Sequence, residues 1–141
     1  SKNLECYSMI EAYEVRQALE EKAVELIIKN ASEKDIDELE EALQHLRKKY
    51  EETGRTSGEF ELHRLYAAKT GSTFMTQTLE IDLNAIFDMM YGKFTDVLDA
   101  TCAEAELESH GMIIQAIRER DVENARKLMD EHLITSMNMF Q

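Results

Sequence analysis

Four histidines carry most of the chemistry open to this 141-residue chain. His45 lies in the charged stretch Gln44-His45-Leu46-Arg47-Lys48-Lys49 and is expected at the surface. The other three share a helical phase with apolar neighbours: His63 with Tyr66 and Ala67, His110 with Ile113, Ile114 and Ile117, and His132 with Leu128, Met129 and Leu133. Each is therefore expected to point inward. A single inward histidine is most often a hydrogen-bonded core residue. Three of them, on three helices of one fold, leave several buried ring nitrogens to satisfy, which favours a common partner.

Glu59 stands one helical turn before His63, so a carboxylate and an imidazole project from the same helix face and can reach one ion together. With His110 and His132 facing them, the set is one carboxylate and three neutral imidazoles. Such a set suits zinc, nickel or another divalent transition ion and leaves coordination positions for water or a small carboxylate. Glu59 has a second reading, as the third helical residue of a capping box that starts at Thr56. The spacing alone does not decide between the two.

Six amphipathic helical segments account for the positions of these residues. Proline is absent and glycine occurs five times, too few for the turns of a many-stranded sheet. The first segment spans about Ser8 to Asn30, with Ala12, Val15, Leu19, Ala23, Leu26 and Ile27 on one face. Ser32 with Asp35 opens the second, which carries Ile36, Leu39, Leu43 and Leu46 and stops near Gly54. The third runs from Thr56 to Gly71, the fourth from about Ser72 to Tyr91, before Gly92, and the fifth from about Lys93 to Glu119. In the fifth, Phe94, Val97, Leu98, Thr101, Ala105, Met112, Ala116 and Ile117 recur at helical spacing. Asp121 caps the sixth, where Ala125, Leu128, Met129, Leu133 and Phe140 repeat. Short links between long helices predict a single all-α, antiparallel helical bundle.

Composition narrows the function. A net charge of −13 repels nucleic-acid phosphates and anionic membranes. No apolar run is long enough for a membrane span and the N-terminus has no signal-peptide pattern, so a cytoplasmic protein is expected. Cys6 and Cys102 are far apart and lack metal or disulfide spacing, and are read as reduced structural residues.

Three stretches resemble one family. Tyr13-Glu14-Val15-Arg16-Gln17-Ala18-Leu19-Glu20 looks like the opening helix of the FCD domain, the effector-binding domain of FadR-type regulators in the GntR family of bacterial transcription factors. Glu59-Phe60-Glu61-Leu62-His63 and Ala67-Ala68-Lys69-Thr70-Gly71-Ser72 resemble its Asp-x-x-Phe-His stretch and the turn after it. Glu108-Ser109-His110-Gly111-Met112-Ile113-Ile114-Gln115-Ala116-Ile117, followed by Asp121, Ala125 and Met129-Asp130-Glu131-His132-Leu133, resembles its two closing helices. The intervals between His63, His110 and His132 resemble the family's as well.

The resemblance implies a metal site of Glu59, His63, His110 and His132, with glutamate where the family usually has aspartate. Leu62 and Ser72 also depart from the usual phenylalanine and asparagine. Arg16 borders the apolar face of the first helix beside Ala12 and Leu19, where an arginine needs an acceptor, either solvent, Glu20 or a ligand. In the resembled family, the arginine at this position can meet an effector's carboxylate. Residues 1–141 are thus expected to form one ligand-binding and dimerisation domain, with no winged-helix DNA-binding domain in the chain.

The expected function is metal-dependent sensing of a small carboxylate metabolite, with one zinc or nickel ion per chain and a homodimer acting on operator DNA through a separate N-terminal domain. An enzyme is not expected. The residues three before each histidine are Ala42, Phe60, Leu107 and Met129, so the Glu-x-x-His motif of di-iron bundles is absent. The alternatives are a metal-free helical dimerisation module and, less in keeping with the motifs, a mononuclear metallohydrolase.

Overall fold

The computed structural model describes the backbone of residues 2–55, 59–90 and 100–138, and the side chains of 9–55, 60–89 and 103–138. Six helices follow one another: α1 Lys2–Asn30, α2 Glu33–Thr53, α3 Glu59–Ala68, α4 Thr73–Met90, α5 Ala100–Arg118 and α6 Val122–Asn138. No strand occurs among the described residues. The side chains of Cys6, Thr56, Glu59, Phe94, Val97, Leu98, Thr101, Cys102 and Phe140 lie outside the described set, as do Tyr91 and Gly92.

The helix ends follow the local chemistry of the sequence. The Ser32 side chain accepts from the Asp35 backbone N–H while the Asp35 carboxylate accepts from the Ser32 N–H, a complete capping box for α2. Gly54 closes that helix at φ 70°, and its N–H donates to the Tyr50 carbonyl. Gly71 takes φ 74° between α3 and α4, where a Cβ would lie 3.2 Å from the Asn30 side chain. Ser72 Oγ accepts from the Met75 N–H and Asp121 Oδ1 from the Asn124 N–H, which caps α4 and α6.

Hydrogen bonds between helices fix the directions. Tyr13 pairs with Ser136, Gln17 with Asp130, and the Arg120 guanidinium reaches the Ile28 carbonyl, so α1 and α6 run antiparallel. Arg118 meets Glu33, Asp37 and Glu40 at one end of α2, while Arg47 meets the Leu107 carbonyl at the other, so α2 and α5 are antiparallel too. Phe60 against Phe87 and Arg64 against Asn84 give α3 and α4 the same relation.

Val24 and Ile27 of α1 pack with Ile36, Leu39 and Leu43, with Leu62 and Tyr66, and with Ile113, Ile117, Met129 and Leu133, joining five helices in one core. Two smaller clusters, one of Ala23, Ala67, Leu79 and Leu83 and one of Met9, Tyr13 and Ile86, seat α4 against α1. Each large aliphatic side chain buried in this way stabilises the fold by roughly 1.5–3 kcal/mol.

Three expectations are corrected. The first helix begins at Lys2, ahead of Ser8. Val15 is 51% exposed, because the inward stripe of α1 runs through Tyr13, Arg16, Glu20, Ala23, Val24 and Ile27 and contains two charged residues. Met112 is likewise 51% exposed and lies off the buried face of α5 that carries Ile113, Ile114 and Ile117.

Candidate metal centre

His63 comes from the middle of α3, His110 from α5 and His132 from α6, and all three are buried, while His45 is exposed as the sequence suggested. The core shared by α3, α5 and α6 brings their rings into one cluster. Ring centroids of His63 and His110 are 4.9 Å apart, and those of His110 and His132 are 4.3 Å apart. One nitrogen from each ring lies within 4.8 Å of the others, which makes the three a candidate set of metal ligands.

Each ring is held through Nδ1. The Glu20 carboxylate of α1 makes a short hydrogen bond to His63 Nδ1. The Tyr66 hydroxyl lies 2.8 Å from His110 Nδ1, and Ser109 Oγ lies 3.0 Å from His132 Nδ1. A carboxylate only accepts, so His63 carries a proton on Nδ1, and it is the neutral form of the ring that offers a lone pair at Nε2. Hydroxyls can accept in the same way from the other two rings. Outer partners on one ring nitrogen that orient the other toward a metal are the usual second layer of histidine metal sites.

His63 Nε2 and His132 Nε2 stand 3.2 Å apart. Two nitrogens bound to one zinc at about 2.0–2.1 Å are separated by about 2.9 Å at a right angle and about 3.4 Å at a tetrahedral angle. The observed spacing lies between those limits. Two facing lone pairs at this distance repel unless a proton or a cation lies between them, so the donor set fits a divalent ion.

Arg16 faces inward. Its Nε donates to Glu20 Oε2 at 2.6 Å, both side chains being buried, and its guanidinium carbon lies 5.3 and 5.4 Å from the ring centroids of Tyr13 and Phe60. Of the acceptors considered from the sequence, the structure supplies Glu20. Burial pushes the Glu20 carboxyl up, but the charges and hydrogen bonds of His63 and Arg16 outweigh it and hold the group down at about 2. Glu20 therefore links the arginine to the histidine cluster. Glu59 heads α3, and its side chain lies outside the described residues.

Sequence reasoning assigned no site role to Tyr66, Ser109 or Glu106, and considered Glu20 only as an alternative partner for Arg16. Glu106 is buried on α5, with Oε2 3.5 Å from His132 Nε2. The usable signal was phase: Glu106 stands one turn before His110, and Glu20 one turn after Arg16.

Asp82 of α4 senses the same charges. Its Oδ2 is buried with no hydrogen bond among the described residues. Desolvation pushes the carboxyl up to about 6, with Arg16 opposing and Glu20 adding to the rise. A folded-state value above the unfolded one means that stability falls as pH rises from about 4 to about 6 and is level above that. Asp82→Asn is therefore expected to raise the melting temperature by about 3–5 °C at pH 7.5, corresponding to about 1 kcal/mol for a half-exposed group, and by much less at pH 4.5. Melting curves across that range check this; a difference independent of pH would refute it.

No helix among the described residues is long and apolar enough to cross a membrane. No curated protein matches the chain. The model of the FCD domain family matches residues 11–135, nearly the whole sequence and all three buried histidines. The chain therefore belongs to the FCD family, the C-terminal effector-binding domains of GntR-family transcription regulators.

Proposed function

We propose that this effector-binding domain senses a small carboxylate metabolite through one divalent transition ion, zinc or nickel, bound to His63, His110 and His132, with Glu59 at the family's acidic position. The observation that supports it most directly is the set of three buried imidazoles, each tied at Nδ1, with one nitrogen of each ring within 4.8 Å of the others. An ion bound there supplies positive charge and open coordination positions for a ligand oxygen. The protein's own residues do the rest. Glu20, Tyr66 and Ser109 hold the rings in place, and the apolar walls exclude competing water. Arg16, oriented by Glu20 through Nε, meets the effector carboxylate through its terminal nitrogens.

In this reading the domain forms a homodimer in the cytoplasm and reaches operator DNA only through a separate N-terminal winged-helix domain, which accords with its charge of −13. Effector binding shifts the dimer between two arrangements, with a coupling of about 1–3 kcal/mol.

The test is elemental analysis of protein purified without chelator or affinity-resin metal, followed by thermal-shift screening of small carboxylates. About one zinc or nickel ion per chain is expected, together with a carboxylate-induced shift that disappears on chelation. Metal-free protein that stays metal-free after soaking in both ions at neutral pH would favour the dimerisation-module reading.

A further inference from the structure

We infer that Asp82 of α4 determines the specificity of the effector site, by accepting a hydrogen bond from an ammonium or hydroxyl group that the metabolite carries beside its carboxylate. This rests on the sensing role proposed above and narrows the effector to an amino or hydroxy acid. Asp82 stands three residues after Leu79 and four before Ile86, so it shares their inward face of α4. Leu79 belongs to the apolar cluster of Ala23 and Ala67, and Ile86 to that of Met9 and Tyr13. Phe60 packs against both clusters, and the Arg16 guanidinium carbon lies 5.4 Å from its ring centroid and 5.3 Å from that of Tyr13. Asp82 thus borders the seam between the clusters into which Arg16 projects.

The main observation is an acceptor left without a donor. Asp82 Oδ2 is buried with no hydrogen bond, and no ion pair of Asp82 occurs among the described residues. Such groups are rare in folded proteins and mark places where something else is bound. Charge is nevertheless close by: besides desolvation, Arg16 and Glu20 both act on this carboxyl, with opposite signs. An arginine and an aspartate in one seam ordinarily close on each other, but here Arg16 Nε is turned to Glu20 at 2.6 Å. The carboxylate costs the fold stability at neutral pH, a cost typical of binding sites. The residue is half-buried, so a small molecule can reach it. A ligand with a negative end for Arg16 and a donor for Asp82 satisfies both groups at once. A plain acid of the same size leaves Oδ2 bare, and a site built to bond a ligand's donor rejects the analogue that lacks it.

The experiment titrates the zinc-loaded 141-residue chain, by calorimetry, with two matched triads of acids: propionate, lactate and alanine, then succinate, malate and aspartate. The readout is the ratio of affinities within a triad. In the parent, the amino or the hydroxy acid of at least one triad should bind about 10–100-fold more tightly than the plain acid, the range for a hydrogen bond to a charged group. Asp82→Ala should erase that preference. Asp82→Asn separates the two donors, because its amide oxygen still accepts from a hydroxyl but offers no charge to an ammonium. A hydroxy-acid preference survives this variant and an amino-acid preference does not. Circular dichroism and a melting curve verify that each variant is folded. Equal affinities within both triads of the parent, or a preference that a folded Asp82→Ala retains, would overturn the Asp82 assignment and leave carboxylate sensing standing. If no acid of either triad binds, both fall, and the zinc content of the same samples reports on the metal separately.

Discussion

Glu20→Ala is expected to lower the melting temperature by roughly 10–20 °C and to weaken metal binding at least tenfold. The size follows from what the carboxylate holds. Arg16 is a guanidinium with 1% exposure deep in the bundle, and its Nε lies 2.6 Å from Glu20. Breaking a buried pair from one side takes from the other charge its hydrogen-bonded counter-charge, which costs about 3–5 kcal/mol. For a chain of this length each kcal/mol corresponds to about 3–5 °C.

The second effect is separate from the first. His63 loses the acceptor that fixes its Nδ1 proton, and outer-layer partners of this kind are typically worth 10–100-fold in metal affinity. Combining Glu20→Ala with Arg16→Met tests the division between the two. The double variant should recover much of the lost stability, since the guanidinium is removed together with its carboxylate, but none of the lost metal affinity. A Glu20→Ala protein that melts within 2 °C of the parent would show that the buried pair carries no such weight.

The parts of this molecule that were legible in the sequence are those governed by period and by local capping. Ser32 with Asp35, Gly54 and Asp121 act over a few residues and sit where their side chains and backbone angles predict. His63, His110 and His132 turn inward because each shares a phase with aliphatic neighbours, and that phase survives folding. Val15 lies where an apolar pattern points to the wrong face. The apolar residues of α1 trace a stripe through it, but the true inward stripe contains Arg16 and Glu20, which a hydrophobicity pattern assigns to solvent.

Glu106 and Ser109 were missed for a related reason. Acidic and hydroxyl residues on a helix are usually solvated. Only the packing of α5 against α6, a tertiary fact, sets both of them beside His132. Helical phase pointed to the histidines and family resemblance agreed, but the outer layer of partners belongs to the way this chain packs.

Zinc or nickel at about a thousand times its dissociation constant should raise the melting temperature of the parent chain by roughly 10–20 °C, and His110→Ala should abolish that gain. A ligand that binds only the folded state at this excess stabilises by about 4 kcal/mol. The unfolded chain does not assemble histidines from three helices, so the folded state is the one favoured. His110→Ala removes one of three imidazoles and leaves the Tyr66 hydroxyl without that hydrogen bond, which lowers the metal-free melting temperature too, by an amount corresponding to about 1–3 kcal/mol. The informative quantity is therefore the difference between melts with and without metal, read within each variant. His45→Ala serves as the control, since His45 is exposed on α2, and it should keep the full gain. If His110→Ala gained as much from metal as the parent does, the ion would be binding at the acidic surface, where exposed carboxylates offer weak sites, and the buried cluster would have to be read as a hydrogen-bonded core.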